Sequence, residues 1–470
     1  MSRMHLKEPI CALAASVLLA ACASHSPAPA PTAVPPPAVV GVKAQHLEPG
    51  FWIQRASNPS RTLLDRQAID AQNSKLVELD ESVHDLEKMP GTVAASQVKS
   101  WIESLSVVPD QDMFDAKGEK IERAAFDDLM SNVALAAVPE SQPTRYGLVV
   151  ERAALRAFPT HLRAFRSADD RDIDRFQESA LFPGTPVVIV HESADRDWWF
   201  IVSPLYAAWV EKRFVAEGTR EMVFAYVHKT PYLVVTGATV KTVFTPELPP
   251  VSELQLDMGV RVPLLADWPT GEPVNGQHPY TAHVIELPWR NPDGTLNFAP
   301  ALLPRTADTS RDYLPLSRAN LLRQGFKFLG ERYGWGHSYN ARDCSGFVSE
   351  VYRSFNVRLP RNTRDQAVTP AVNRIEFSAA DDHERRLAQL RDTQVGDLIY
   401  IPGHVMMVIG HDRGMPYVIH DVTGVSYRDA SGAVRRVLLN GVSVTPLTPL
   451  LLGRERPLVD QITSILRVRS

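Results

Sequence analysis

The chain has 470 residues, which is enough for two to four domains and a substantial buried core. Its 44% hydrophobic and 22% charged residues exclude a wholly disordered or multi-span membrane chain. The 50 basic and 54 acidic residues leave a formal charge of -4, which offers no electrostatic footprint for nucleic acid. Three cysteines, Cys11, Cys22 and Cys344, exclude a disulfide framework or a four-ligand zinc site, so each needs its own explanation.

The first 22 residues have the pattern of a signal sequence. Arg3 and Lys7 precede an apolar stretch, Ile10 to Ala21, that is too short to span a bilayer. The stretch ends in Leu-Ala-Ala-Cys at Cys22, which resembles the lipobox of bacterial lipoproteins. The resemblance implies that Cys22 is acylated and becomes the new N-terminus; in an ordinary secretory signal it would be incidental. Cys11 is discarded on either interpretation.

Two further features concern the anchor. Ala23 and Ser24 follow Cys22 with no aspartate, which in enterobacterial lipoproteins implies the outer membrane. Residues 23–50 carry seven prolines and few large apolar side chains, which favours an extended polyproline II linker. A protein-binding proline motif is the alternative for this segment. We therefore expect a lipid-anchored protein on the periplasmic side of the cell envelope.

The body of the protein begins near residue 51. Residues 51–138 have loosely helical apolar spacing, with Asn58-Pro59-Ser60 as a helix start, and predict a small helical domain. Residues 139–222 change to short β-strands divided by turns, and Asp197 to Val210 resembles bacterial SH3-like barrels, with Ala208 where glycine is usual. Trp198 and Trp199 are expected in the core and rim of this barrel. Residues 223–314, with a hairpin turning on Asn291 to Gly294, predict a second barrel.

The chemistry is concentrated in residues 315–470. Phe347, Val348, Val351, Tyr352 and Phe355 fall at helical spacing, which places Cys344 in the first turn of a helix with Asp343 as its N-cap. Unpaired N–H groups and the helix dipole at this position are expected to lower the pKa of the thiol and favour the thiolate. The pattern therefore indicates a nucleophile, although a lone buried cysteine is also common in cores.

Two histidines complete the pattern. Gly396 to Gly410 predicts two strands, the second starting at His404, and Pro416 to Asp421 predicts a third strand after a turn at residues 411–415. In such a hairpin His404 and His420 have compatible parity and can lie close together on one face. A cysteine, a basic histidine and an orienting group form the general arrangement for covalent acyl transfer.

Four ordered motifs carry a family resemblance: D-C-S-G-F, L-P-R-N-T-R-D-Q, G-D-L-I-Y and G-H-V-M-M-V-I-G. They are similar to the NlpC/p60 family of papain-like cysteine peptidases, in the lipoprotein subgroup with an N-terminal helical domain and two SH3-like domains. The implied fold is α+β and multidomain. The resemblance makes Cys344 the nucleophile, His404 the base and His420 its orienter. It makes Tyr333 an oxyanion donor and places Asp343 and Ser345 in the substrate site.

One residue departs from the family pattern. His337 stands where a second glycine usually follows Gly336, and it should narrow the room for the chain there. The resemblance implies hydrolysis of peptidoglycan stem peptides, at the amide between γ-D-glutamate and a diamino acid such as meso-diaminopimelate, with no metal or organic cofactor. The alternatives are an inactive wall-binding scaffold and an amidase or acyltransferase on the same fold.

Overall fold

The computed structural model describes residues 39–453 and 455–469, so the predicted signal sequence, Cys22 and most of the predicted linker lie outside the described residues. The described residues form one compact unit. In the described part, no helix is both long and apolar enough to cross a membrane.

The N-terminal part is mainly helical. Its helices and short strands are α1 (Pro49–Arg55), β1 (Thr62–Leu64), α2 (Arg66–Leu79), β2 (Thr92–Ala94), α3 (Ala95–Leu105), α4 (Arg123–Val133) and β3 (Ser141–Pro143). The predicted helix start at residues 58–60 is wrong, because α2 begins at Arg66, where the Asp65 carboxylate accepts a hydrogen bond from the Ala68 N–H.

The helices of the predicted domain 51–138 do not build a core of their own. Trp52 of α1 and Ile69 of α2 pack into the core of the C-terminal domain, whereas Ile102 of α3 and Phe126 of α4 pack against the first β-domain. Helices this short bury too little apolar surface alone and are stabilised by the surfaces they cover. The end of the predicted linker also differs: His46 is buried, and its ring contacts that of Tyr417.

The first β-domain is one seven-stranded antiparallel sheet followed by a helix. The strands are β4 (Arg145–Val149), β5 (Ala153–Arg156), β6 (Gln177–Leu181), β7 (Pro186–Glu192), β8 (Trp198–Val202), β9 (Ala207–Glu211) and β10 (Val215–Gly218), and the helix is α5 (Arg220–His228). Trp198 and Trp199 are both buried, as expected of core aromatic residues.

The second β-region is less regular than the predicted barrel. Its strands are β11 (Tyr232–Val235), β12 (Thr239–Lys241), β13 (Gln255–Asp257), β14 (Arg261–Pro263), β15 (Ala282–Arg290), β16 (Leu296–Pro304), β17 (Thr309–Ser310) and β18 (Leu316–Ser317). Strands β11–β17 form three small sheets that share one core, and the β15–β16 hairpin turns at residues 291–295 as predicted.

The C-terminal domain packs helices on an eight-stranded sheet. Its elements are α6 (Arg318–Phe326), α7 (Cys344–Arg353), α8 (Thr363–Val368), β19 (Asn373–Glu376), α9 (His383–Arg391), β20 (Leu398–Ile401), β21 (His404–Asp412), β22 (Met415–Arg428), β23 (Val434–Pro446), β24 (Leu450–Leu452), β25 (Arg456–Pro457) and β26 (Ser464–Arg467). The turn between β21 and β22 is shorter than predicted, and β22 runs beyond Asp421 to Arg428.

Candidate active site

Cys344 begins α7, and Asp343 is the N-cap residue of that helix. The Asp343 carboxylate accepts a hydrogen bond from the Gly346 backbone N–H at 2.8 Å, which confirms the predicted cap. The apolar face of α7, including Phe347 and Val351, packs against β21 and β22. This packing holds Cys344, which is 6% exposed, at the end of the sheet.

The two histidines meet as their parity predicts. Met407 of β21 lies opposite Ile419 of β22, so His404 and His420 are diagonal neighbours. His404 Nε2 and His420 Nδ1 share a hydrogen bond of 2.8 Å. The other ring nitrogen of His420, Nε2, lies 3.0 Å from the Thr445 hydroxyl on β23. His420 is thus held from both sides and can orient His404.

The candidate nucleophile lies at the same end of β21 as His404. The backbone of Val405, the residue after His404, is close enough to the Cys344 sulfur to lower the pKa of the thiol and favour the thiolate. Among the described residues, His404 Nδ1 has no hydrogen-bond partner, so this nitrogen remains available for a proton from the thiol.

The expected low pKa of Cys344 is wrong for the protein without substrate. Burial, reinforced by the nearby Asp343 carboxylate, raises the pKa of the thiol to about 12. Burial also lowers the pKa of His404 to about 4. The helix terminus does favour the thiolate, but desolvation of a charge in this packed site outweighs it. The resting pair is therefore a neutral thiol and a neutral imidazole.

Tyr333 lies beside this pair. It is 6% exposed, and its backbone N–H donates to the Asn440 carbonyl at 3.0 Å. Burial, followed by the electrostatic effect of Cys344, raises the pKa of Tyr333, so its hydroxyl stays protonated and can donate a hydrogen bond. Its predicted contact with an oxyanion stays a prediction.

Arg361 organises the other two predicted substrate residues. Its guanidinium donates to Asp343 Oδ2 at 2.7 Å and to the Ser345 hydroxyl at 2.8 Å. Asp343 Oδ2 also accepts from the Gly336 N–H. Burial alone would raise the pKa of Asp343, but Arg361, His337 and the Gly346 N–H together outweigh it and hold that pKa at about 2. The Asp343 carboxylate is a positioning group here, and its predicted contact with substrate stays a prediction.

His337 occupies space that a glycine at this position would leave open. It has a φ of 65° and is buried, and its Nδ1 accepts from Arg361 at 3.1 Å while its Nε2 lies 3.2 Å from Glu350 Oε1. A Cβ on Gly346 would approach the His337 ring to 2.6 Å, so the glycine of D-C-S-G makes room for this ring. The departure at His337 extends the charge network around Asp343.

The network continues through Arg342, which is fully buried. Its guanidinium donates to Glu350 at 2.8 Å, to Glu331 and to Asp257 at 2.7 Å. Asp257 belongs to β13 of the second β-region, so the network joins two parts of the chain. Burial alone would raise the pKa of Glu350, but Arg342 and the hydrogen bond from His337 hold it low. Each buried charge in this group has an opposite charge beside it, as buried charges require.

This geometry agrees with the comparison with protein families. Residues 330–440, which hold the D-C-S-G helix and both histidines, match the NlpC/P60 family. The chain contains an NlpC/P60 domain. Residues 159–211 match the SH3 domain of SH3b1 type and lie inside the first β-domain. No curated protein sequence matches the chain.

One solved structure shows the same fold, and a second is similar over a smaller part of the chain. An NlpC/P60 endopeptidase from Photobacterium damselae subsp. piscicida is 16% identical, with a TM-score of 0.69 over 88% of this chain and 95% of that one. An NlpC/P60 family protein from Bacillus cereus is 19% identical and covers 63% of this chain and 83% of its own, with a TM-score of 0.43. The first likeness shows that the fold extends beyond the NlpC/P60 domain through the β-domains.

The first β-domain brings a carboxyl group next to the NlpC/P60 domain. Glu178 of β6 accepts a hydrogen bond from the Tyr206 hydroxyl at 2.5 Å, and burial raises the pKa of Glu178. The Glu178 carbonyl accepts from Arg361, and the next residue, Ser179, accepts from Arg361 at 2.6 Å. Glu178 therefore stands near the Asp343 and Ser345 side of the site.

Asp421 is a second group near the site that no sequence pattern indicated. It follows His420, is fully buried, and neither carboxyl oxygen has a hydrogen-bond partner among the described residues. Burial, with Asp343 and Glu331 adding to it, raises the pKa of Asp421 to about 9. At neutral pH this side chain is an uncharged acid within electrostatic range of Cys344 and Tyr333.

Sequence reasoning missed Arg361, Glu178 and Asp421. Arg361 lies in the L-P-R-N-T motif, so the family resemblance was a signal that it belongs to the site. Glu178 had no signal, because a single glutamate in a short strand is typical of an exposed face. Asp421 lies next to His420 in the sequence, but only the structure shows that it is buried without a partner.

Proposed function

We propose that the protein hydrolyses peptidoglycan stem peptides at the amide between γ-D-glutamate and a diamino acid such as meso-diaminopimelate, with Cys344 as nucleophile and His404 as base. The observation that carries this proposal is the hydrogen-bonded pair His404–His420 beside the buried Cys344 of an NlpC/P60 domain. The fold of the solved NlpC/P60 endopeptidase and the SH3 match support a cell-wall substrate.

One of the two directions that the hydrogen bonds of His420 can take gives the tautomer that this reaction needs. When the Thr445 hydroxyl accepts from His420 Nε2–H, His420 Nδ1 must accept from His404 Nε2–H. The lone pair of His404 then lies on Nδ1, the nitrogen without a described partner. The opposite arrangement would place a proton on Nδ1 and prevent His404 from acting as a base.

The neutral resting pair indicates when the proton moves. Because the pKa of Cys344 is raised to about 12 and that of His404 lowered to about 4, the thiol transfers its proton to His404 as the sulfur attacks the carbonyl carbon. The Tyr333 hydroxyl and the Cys344 backbone N–H stabilise the oxyanion. Protonated His404 gives its proton to the leaving amine, and water then hydrolyses the thioester to the acid and the free thiol.

Glu178 supports a preference for peptides with a free N-terminal amine. It is a nearly buried carboxyl group from the first β-domain, close to Arg361 and the Ser345 side of the site. A substrate ammonium would supply the positive charge that lowers the pKa of Glu178 toward its ordinary range. A disaccharide on the same nitrogen would remove that charge.

Digestion of defined stem peptides tests the activity. The purified protein is incubated with L-Ala-γ-D-Glu-meso-diaminopimelate and with the disaccharide-linked form, and products are identified by mass spectrometry. We expect L-Ala-γ-D-Glu as one fragment, faster release from the free-amine peptide, and no product with Cys344→Ala. Absence of cleavage by the wild type, or cleavage that survives in Cys344→Ala, would refute the proposal. Equal turnover of both peptides would refute only the preference for a free amine.

We also propose that Cys22 carries the lipid anchor and that the body lies on the periplasmic side of the envelope, at the outer membrane. The Leu-Ala-Ala-Cys sequence and the proline-rich segment after it support this location. Cys22→Ala is expected to move the protein from the membrane fraction to the soluble fraction, with Cys11→Ala as the matched control. Sedimentation of Cys22→Ala with membranes would contradict the assignment.

A further inference from the structure

The loop between β5 and β6, residues 157–176, reaches from the first β-domain to the wall of the active site. Asp172 of this loop accepts hydrogen bonds from Arg332 at 2.6 Å and from the Asn440 side chain at 3.1 Å. Arg332 directly precedes Tyr333, and the Asn440 carbonyl accepts the Tyr333 N–H. The loop is therefore fixed on both sides of the candidate oxyanion donor.

Arg175, near the end of this loop, has an unusual environment for a guanidinium. Its guanidinium carbon lies 4.9 Å from the centre of the Trp335 ring. Its side chain makes no hydrogen bond or ion pair with the described residues, and its buried Nε lacks an acceptor. The indole Nε1 of Trp335 is also buried without an acceptor. Two N–H donors thus stand side by side with nothing to receive them.

Three other arginines of this region have acceptors, whereas the half-buried Arg175 has none among the described residues. Arg156 pairs with Asp174 at 2.6 Å, Arg163 donates to the Tyr339 hydroxyl at 2.7 Å, and Arg332 pairs with Asp172. Close to Arg175, Arg166 contributes a second positive charge, and Asp170 acts on it only at a distance. Leaving the buried Nε–H of Arg175 without an acceptor costs free energy, which an incoming anion would recover.

We propose that Arg175, together with Trp335 Nε1–H, binds a carboxylate of the stem peptide that flanks the scissile amide. This inference rests on the proposed function. Arg175 is within electrostatic range of Tyr333, which would contact the scissile carbonyl. A γ-linked glutamate keeps its α-carboxylate free next to that bond, and the diamino acid on the other side also carries carboxylates. A planar guanidinium fits either group with two parallel hydrogen bonds.

Kinetics with amidated substrates tests the proposal. Three peptides are compared: the free tripeptide, its analogue with the glutamate α-carboxylate amidated, and its analogue with the diamino-acid carboxylates amidated. We expect the wild type to lose about 10- to 100-fold in kcat/KM on the one analogue whose amidation removes the bound carboxylate. Arg175→Gln should lose a similar factor on the free tripeptide and less than about threefold on that analogue.

Two variants separate recognition from folding. Arg175→Lys keeps the positive charge but cannot donate two parallel hydrogen bonds, so it should retain part of the preference for the free carboxylate. Arg166→Gln removes the neighbouring exposed charge and should keep the full preference. A wild type that cleaves all three peptides equally well, or an Arg175→Gln variant that loses the same factor on every peptide, would overturn the role of Arg175.

Binding to the inactive Cys344→Ala protein makes the test independent of turnover. Calorimetry should show that the free tripeptide binds about 10-fold or more tightly than the discriminated analogue, and that adding Arg175→Gln removes this difference. If the wild type cleaves no peptide while this binding preference holds, the proposed hydrolysis fails and the carboxylate site stands. Equal binding of all three peptides to Cys344→Ala would overturn the carboxylate site.

Discussion

The first turn of α7 separates two groups of side chains with opposite electrostatic character. On one side, Asp343, Arg361, His337 and Glu350 form a chain of hydrogen bonds that continues to Arg342. The charges in this chain are paired, and Asp343 and Glu350 stay ionised because their pKa values are held low.

On the other side, Cys344 and His404, which would react, and the neighbouring Asp421 are uncharged. The pKa values of Cys344, at about 12, His404, at about 4, and Asp421, at about 9, all favour the neutral form near pH 7. The cause is the same for the three groups: burial penalises a charge that has no counter-charge beside it. Ion pairs position this site, while the groups that would react are neutral until substrate enters.

Removing a charge from the ion-paired group should have the largest effect on stability. Arg361→Met would leave the Asp343 carboxylate buried without its guanidinium, so we expect a loss of about 3–5 kcal/mol in the free energy of unfolding. Denaturant unfolding measures this loss. Arg364→Met, three residues away with an exposed side chain, is the control and should change stability by less than about 0.5 kcal/mol. Similar losses for the two variants would show that the Arg361 network does not stabilise the protein.

Replacing Asp421, the buried acid without a partner, should increase the free energy of unfolding rather than lower it. The pKa of Asp421 is raised from 3.8 to about 9, so between these values the folded protein holds a proton that the unfolded chain has lost. The contribution of Asp421 to the free energy of unfolding therefore falls as pH rises from about 4 to about 9. Asp421→Asn removes this penalty and should stabilise the protein at pH 7 by up to about 4 kcal/mol.

The pH profile of that gain is the discriminating observation. Unfolding measured at pH 4 and pH 8 should show a small gain for Asp421→Asn at pH 4 and a large one at pH 8. Asp128→Asn, at an exposed position on α4, should show no such trend. A gain for Asp421→Asn that is the same at both pH values would mean that Asp421 is not held as a neutral acid.

The smallest expected effect concerns the orientation of the base. Thr445→Val keeps the shape but removes the hydroxyl that lies 3.0 Å from His420 Nε2. We expect kcat on the stem tripeptide to fall roughly 3- to 10-fold, because one hydrogen bond that selects the tautomer is lost. Thr445→Ser should restore most of the rate. Full activity of Thr445→Val would show that this hydroxyl does not set the tautomer of His420.

Local patterns predicted the positions of Cys344, His404 and His420 well. The helical spacing after Cys344 and the aspartate before it were sufficient to place the cap, and strand parity was sufficient to bring His404 and His420 together. Each of these inferences depends on neighbours within one helix or one hairpin. The register of a short hairpin leaves little freedom, since its turn and its alternating faces fix which side chains are close.

Contacts between distant segments could not be predicted in the same way. Arg361 reaches Ser179 and Arg342 reaches Asp257, across 182 and 85 positions of the chain. A charged residue in sequence looks like a solvated surface group, and only tertiary packing turns it into a buried pair. The prediction of a low pKa for Cys344 was wrong for the same reason. The helix terminus is a local feature, but the burial that outweighs its effect comes from packing against the sheet.

The titration of Cys344 in the substrate-free protein tests most directly whether Cys344 and His404 are neutral before substrate binds. The rate of alkylation by iodoacetamide is followed from pH 6 to pH 10 on the peptide that contains Cys344, in the wild type and in His404→Ala. Because burial raises the pKa of the thiol to about 12, we expect a slow rate that rises throughout this range without a plateau and is unchanged in His404→Ala. A plateau near neutral pH that disappears in His404→Ala would reveal a preformed thiolate–imidazolium pair and contradict the account.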